Sequence, residues 1–170
     1  MTRVNTAGKA WIFGDDVDTD VLAPGLYMKG SLEDLARHCL EAIDPDFAAN
    51  VEEGDTVVAG ANFGVGSSRE QAAQVLRYLG IRALVAKSFG GIFFRNASNF
   101  GLVAVTCADT DRVQPGDEIT VDAGAGVINN ITRNQIYNCD PLPSQLLEMI
   151  ADGGLVSHLE KKLTQTKGAE

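Results

Sequence analysis

The segment Gly60-Ala-Asn-Phe-Gly-Val-Gly-Ser-Ser-Arg-Glu70 sets two adjacent hydroxyls, Ser67 and Ser68, and the guanidinium of Arg69 behind a glycine-rich turn. Glycine lets backbone approach a ligand closely. The start of a helix, expected here from about residue 68, offers unpaired N–H groups with positive dipole character. A carboxylate, phosphate or alkoxide is the species such a place favours. Helix capping is the plainer reading, since Ser67-x-x-Glu70 and Ser68-x-x-Gln71 both fit a capping box. Capping accounts for one serine and leaves the second hydroxyl, Arg69 and the clustered Gly60, Gly64 and Gly66 without a reason. Nucleotide loops fit poorly: a P-loop ends in Gly-Lys-Ser/Thr, and the dinucleotide fingerprint needs a third glycine that is absent after Gly64-x-Gly66.

The run Asp15-Asp-Val-Asp-Thr-Asp20 is a second constellation. Asp16, Asp18 and Asp20 have the 1, 3, 5 spacing of a calcium loop, but Val21 and Tyr27 stand where that loop needs glycine and glutamate. Aspartates that cap turns through their own backbone are the expectation instead. The connection that follows, Ala23-Pro-Gly-Leu-Tyr-Met-Lys-Gly30, has turn chemistry and one cation, Lys29, whose ordinary fate is solvent exposure. Cys39, Cys107 and Cys139 are widely spaced with no C-x-x-C pair, so they read as buried hydrophobes rather than a disulfide framework or a metal site. His38 has no partner at metal-ligand spacing, and His158, on a polar-flanked end, is expected to have no chemical part.

Elements that position these residues alternate. Strands are expected over residues 9–13, 55–61, 81–86 and 102–106, with helices over 31–43 (capped by Ser31), from about 68 to 79, and 89–100. Such β-α alternation implies parallel strands with crossover helices and ligands at the strands' carboxyl ends, where Ser67 and Ser68 would lie. After Pro115-Gly116-Asp117 the pattern becomes a two-stranded meander, 118–122 and 127–132, then helices over 141–151 and 155–163 and a polar, frayed tail over 164–170.

Composition bounds the rest. The chain has 170 residues, 45% hydrophobic and 22% charged, which suits one domain, residues 1–163, with a proper core. A net charge of −9 argues against nucleic acid or anionic membrane as partner. No signal segment or membrane-length apolar run is evident, so a cytoplasmic location is expected.

Taken in order, Gly14-Asp-Asp-Val-Asp-Thr-Asp20, Gly60 to Glu70, and Ala86-Lys-Ser-Phe-Gly-Gly-Ile-Phe-Phe-Arg-Asn96 resemble the small-subunit family of 3-isopropylmalate dehydratase, equivalent to the swivelling fourth domain of aconitase. The resemblance runs from about Gly8 to Leu163. It implies an α/β fold, a three-layer β/β/α swivel domain with mostly parallel central strands and a small β meander. It also implies a separate large, cysteine-rich subunit that holds a [4Fe-4S] cluster, with no metal and no cofactor bound by this chain. In the family, the hydroxy acid's carboxylate and hydroxyl bind an open iron and a serine alkoxide takes the proton from the adjacent carbon. Carried over by motif, Ser67 is the base, Ser68 binds a substrate carboxylate, and Arg69 pairs with carboxylate and supports the alkoxide. Thr19, Asp20 and Gly66 take supporting roles, and the loop Leu26-Tyr27-Met28-Lys29 reads the substrate. The family motif continues Arg-Glu-His, whereas this chain has Gln71.

The implied reaction is the hydro-lyase interconversion of isopropylmalates in leucine biosynthesis by a subunit inactive alone, in a heterodimer or heterotetramer. Apolar Leu26 and Met28 suit an isopropyl group, while Lys29 suits a distal carboxylate, so homoaconitase and 2,3-dimethylmalate dehydratase stand as alternatives. A reading from another class is a non-catalytic anion-binding regulatory module.

Overall fold

The structure, a computed structural model, describes residues 4–168. Strands β1 (Val4–Ile12), β2 (Thr56–Ala59), β3 (Ala83–Ala86) and β4 (Val103–Thr106) pair in parallel. Strands β5 (Glu118–Asp122), β6 (Val127–Asn130) and β7 (Gln135–Asn138) form an antiparallel meander attached to the other side of β1. The order across the seven strands is β4-β3-β2-β1-β5-β6-β7.

Strands covered on both faces read as continuous apolar runs, because neither set of alternating side chains meets water. Strands β2 and β3 are buried at every position. Val57, Ala59, Leu84 and Ala86 pack into one core with helices α1 (Thr19–Leu22), α2 (Leu32–Arg37), α3 (Phe47–Asn50), α4 (Gln71–Tyr78) and α5 (Gly91–Asn99). Val58, Ala83, Val85, Val103 and Val105 face a second core with Ile119, Val121, Ile128 and Tyr137 of the meander and Ile150 of helix α6 (Ser144–Ala151). Meander, parallel sheet and helices thus make three layers, β/β/α. Helix α7 (Leu155–Lys167) follows α6. No helix among the described residues is long and apolar enough to cross a membrane.

Several elements differ from the periodic expectation. The helix capped by Ser31, whose Oγ accepts the Asp34 N–H, ends at Arg37 rather than 43. Leu40 takes a left-handed φ of 61° and donates its N–H to the Val21 carbonyl, which bends the chain against α1. The meander has a third strand, β7. Its Gln-Ile-Tyr-Asn sequence buries only Tyr137, leaving no alternation to read. Helix α7 continues past Leu163 to Lys167, through residues expected to fray. The parallel strands run in one order without reversal, so the site cannot sit in a topological switch crevice; it must be built by loops leaving neighbouring strand ends.

Strand β1 serves both cores, and a buried carboxylate holds it. Asp55, 3% exposed, accepts the Lys9 N–H at 3.0 Å, the Trp11 indole N–H at 2.9 Å and the Glu52 N–H at 2.9 Å. Asp55→Ala strands three donors in a buried place and should destabilise the fold by about 3 kcal/mol, read as a lowered denaturant midpoint. Asp55→Asn, which keeps an acceptor, should cost less.

Candidate active site

Parallel pairing of β1, β2 and β3 ends the three strands side by side, and the loops leaving them are laced together. The Asp15 carboxylate accepts the Ala61 N–H at 2.7 Å, and the Asp16 N–H donates to the Ala61 carbonyl at 2.8 Å. The Gly64 N–H donates to the Val17 carbonyl at 2.7 Å, and the Thr19 N–H to the Val65 carbonyl at 2.9 Å. The third loop adds Ser88, whose Oγ accepts the Asn62 N–H at 2.8 Å and whose carbonyl accepts the Phe63 N–H at 3.0 Å. Asp18 caps α1 through the N–H groups of Asp20 and Val21. The aspartates therefore do the turn-capping expected of them, and Asp15 and Asp16 also pin the neighbouring loop, Asp16 through the Asn62 amide at 2.9 Å.

Two glycines of this loop take the left-handed conformation that its path needs. Gly64 has φ 77°, and a Cβ there would lie 2.1 Å from the Phe93 ring. Gly66 has φ 114° and brings the backbone against Thr19, with an added Cβ 3.0 Å from Thr19 Oγ1.

This path delivers the serines ahead of the helix rather than into it. Helix α4 begins at Gln71 with Glu70 at its N-cap and no side-chain cap bond, so the capping box expected for Ser67 or Ser68 does not form. Ser67 instead bonds to Thr19: its N–H donates to Thr19 Oγ1 at 3.1 Å, and the two hydroxyl oxygens lie 3.1 Å apart. The Ser68 carbonyl takes a long hydrogen bond of 3.4 Å from the Asn96 amide, and its side chain is exposed. The backbone N–H groups of Ser68, Arg69, Glu70 and Gln71 donate to no acceptor among the described residues. A run of free donors beside two hydroxyls has the chemistry of an anion-binding nest.

Arg69 is turned inward and held on one side only. Its Nη1 donates to Asp20 Oδ1 at 2.9 Å and to the Ala23 carbonyl at 2.8 Å, and the side chain is 23% exposed. Nη2 and Nε make no hydrogen bond among the described residues, leaving one planar edge of the fork that matches a carboxylate. The Arg69 guanidinium and the Gly25 N–H, which Asp20 Oδ1 accepts at 2.9 Å, hold the Asp20 carboxyl below its ordinary pKa. One carboxylate oxygen thus ties Arg69 to the first residue of the 3₁₀ turn Gly25–Tyr27.

The four residues of that loop do not share one lining. Leu26 is 84% exposed and Lys29 is exposed, whereas Tyr27 and Met28 are partly buried against the helical core. The Tyr27 ring stacks on His38 with centroids 3.5 Å apart and planes 4° from parallel, and His38 Nδ1 lies 2.6 Å from Glu41 Oε2. His38 is a satisfied histidine that also steadies the loop. Sequence reading assigned no part to Asn62, Ser88, Asn96 or the Ala23 carbonyl. The first three lay inside the quoted motifs as polar residues, Asn62 and Ser88 two positions from a glycine, which was signal enough; a carbonyl leaves none.

The arrangement is open. Ser67, Ser68 and Asp20 are exposed, and a cavity of about 370 Å³ beyond the β1 and β2 ends is lined by Asp15, Lys87 and Asp111 rather than by the serines. Among the described residues no cluster of His, Cys, Asp or Glu has the geometry of a metal site. Burial pushes all three thiols up, Cys139 to about 12, and Cys39 packs in the helical core while Cys107 and Cys139 pack in the meander core, so the three do not converge on one place. This donor set does not fit a cluster.

Residues 31–110 match the family model of the aconitase C-terminal domain. The 3-isopropylmalate dehydratase small subunit of Methanosarcina mazei is 46% identical over 159 residues, 93% of this chain and 98% of its own. A methanogen homoaconitase small subunit from Methanothermobacter thermautotrophicus is 46% identical over 158 residues, 92% of this chain and 91% of its own. The crystal structure of a 3-isopropylmalate dehydratase from Methanocaldococcus jannaschii superposes with a TM-score of 0.88 at 44% identity, covering 95% of this chain and 98% of that one. With its three layers, its laced loops and relatives matched along nearly their whole length, the chain belongs to the 3-isopropylmalate dehydratase small-subunit family of the aconitase superfamily.

Proposed function

We propose that this chain is the small subunit of a cytoplasmic 3-isopropylmalate dehydratase, interconverting 2- and 3-isopropylmalate by dehydration and rehydration in leucine biosynthesis, and active only with a large subunit. The observation that carries this reading is the half-built site: Ser67 beside free N–H donors, Arg69 with one fork edge open, and solvent where an enclosing wall is needed. An alkoxide base is stabilised far better in a water-excluded site than at a wet surface. A second chain closing over the loops supplies that exclusion, in keeping with relatives named as small subunits.

The large subunit's [4Fe-4S] cluster would supply the Lewis acid that holds the substrate's hydroxyl and one carboxylate. On this chain, Ser67 Oγ takes the proton from the carbon next to the leaving hydroxyl and returns it during rehydration. Arg69 grips a substrate carboxylate through Nε and Nη2 while Asp20 and Ala23 fix Nη1. Ser68 donates to a carboxylate. Exposed Leu26 and Lys29 meet the distal part of the substrate, Leu26 against the isopropyl group, with Tyr27 and Met28 anchoring their loop. Gly66 keeps the serine turn against Thr19.

Exposed Lys29 and the equally similar homoaconitase small subunit support a second reading, a substrate with an additional carboxylate such as homocitrate.

Three outcomes are expected in the complex reconstituted with its cognate large subunit. Ser67→Ala should lower turnover by at least about a thousandfold with association intact; near-normal turnover refutes the base assignment. Asp20→Ala frees Arg69 and Gly25 together and should lower kcat/KM about tenfold or more, with Asp20→Asn intermediate. Lys29→Leu should leave isopropylmalate turnover within a few fold; a large loss confined to homocitrate would favour the homoaconitase reading.

A further inference from the structure

Thr19 is 3% exposed, so its hydroxyl proton needs an acceptor within the protein. Its Oγ1 already accepts the Ser67 N–H at 3.1 Å. The one other polar atom bonded to it among the described residues is Ser67 Oγ, also at 3.1 Å. Were Ser67 the donor in that contact, both Thr19 lone pairs would be filled and its proton would face no acceptor in a buried place. The balanced arrangement has Thr19 accepting from the Ser67 backbone and donating to the Ser67 side chain. Position supports this. Thr19 is the first residue of α1, its own N–H bonds to the Val65 carbonyl, and Gly66 lets the serine turn press onto the hydroxyl, so the donor is held at both ends.

We infer that Thr19 is a positioning residue that stabilises the ionised form of Ser67, an inference that rests on Ser67 being the base. The Thr19 proton stays on Thr19 throughout. Its hydrogen bond is stronger to an alkoxide than to a neutral hydroxyl, so it lowers the pKa of Ser67 and strengthens as charge develops. It also directs the Ser67 proton away from Thr19 and toward the exposed side of the turn, where solvent takes it when the alkoxide forms. The acidic loop thereby contributes to catalysis through this one neutral hydroxyl, while Asp20 acts separately through Arg69.

The test is the pH dependence of kcat in the reconstituted complex. Thr19→Val keeps shape and removes the donor; it should lower kcat about ten- to hundredfold and move the acid limb of the profile up by about one pH unit. Thr19→Ser keeps the donor and should stay within about threefold of the parent with the limb unmoved. If Thr19→Val fails to assemble, Thr19→Cys, a weak donor of similar size, should show the limb displaced part of the way. A limb unmoved in Thr19→Val, or in Thr19→Cys where Val does not assemble, overturns the inference whatever happens to KM. Ser67→Ala separates the two readings. If it retains turnover, the base assignment itself falls; if it is inactive while the limb stays put, only the role of Thr19 falls.

Discussion

The hydrogen bonds between the loop leaving β1 and the loop leaving β2 are the constraint on which the site depends. Parallel strands in register end at the same level, and their unpaired terminal carbonyls and amides must find partners away from the sheet. Here they find each other. Asp15 and Asp16 bond across to Ala61 and Asn62, Val17 to Gly64, Thr19 to Val65 and Ser67, and Asp20 to Arg69. Each rung lies one step further from the sheet, so the strand pairing is prolonged by loop contacts out to the reactive residues. Precision at Ser67 is inherited from the sheet through short bonds and does not need a long stretch of rigid chain.

The two cores act on the same constraint from below. Strand β1 gives Ala10 to the meander core and packs Trp11 against the helical one, edge-on to Phe47 at 5.2 Å. Asp55 locks it to the start of β2. A strand fixed by both layers cannot slide relative to its neighbour without exposing one of them, and a slide of one residue would put every loop rung out of reach.

Much of this was legible in the chain. Buried parallel strands announce themselves as Thr-Val-Val-Ala and Ala-Leu-Val-Ala, and the Ser31 cap is a local signal that the structure reproduces. The motif residues were visible as a group because glycine, aspartate and hydroxyl side chains at close spacing have few purely structural uses. Other features were not legible because their causes lie far away in sequence. The serines look like caps locally, yet the partner of Ser67 is 48 positions upstream and draws it off the helix. Leu40 looks like helix interior until Val21 claims its N–H. Strand β7 has too little buried surface to leave a pattern.

The bond from Asp20 to the Gly25 N–H has an evolutionary consequence. The bond uses a backbone amide hydrogen, and although a Cβ at position 25 would crowd Asp20 Oδ1 at 3.3 Å, the anchor makes almost no demand on the side chains that follow it. Positions 26–29 are then able to diversify through successive substitutions without dislodging the arginine that shares the same carboxylate oxygen. A scaffold of this kind passes through intermediates that retain their reactive geometry while selectivity drifts, which is the condition under which one ancestral subunit can give rise to relatives acting on different hydroxy acids.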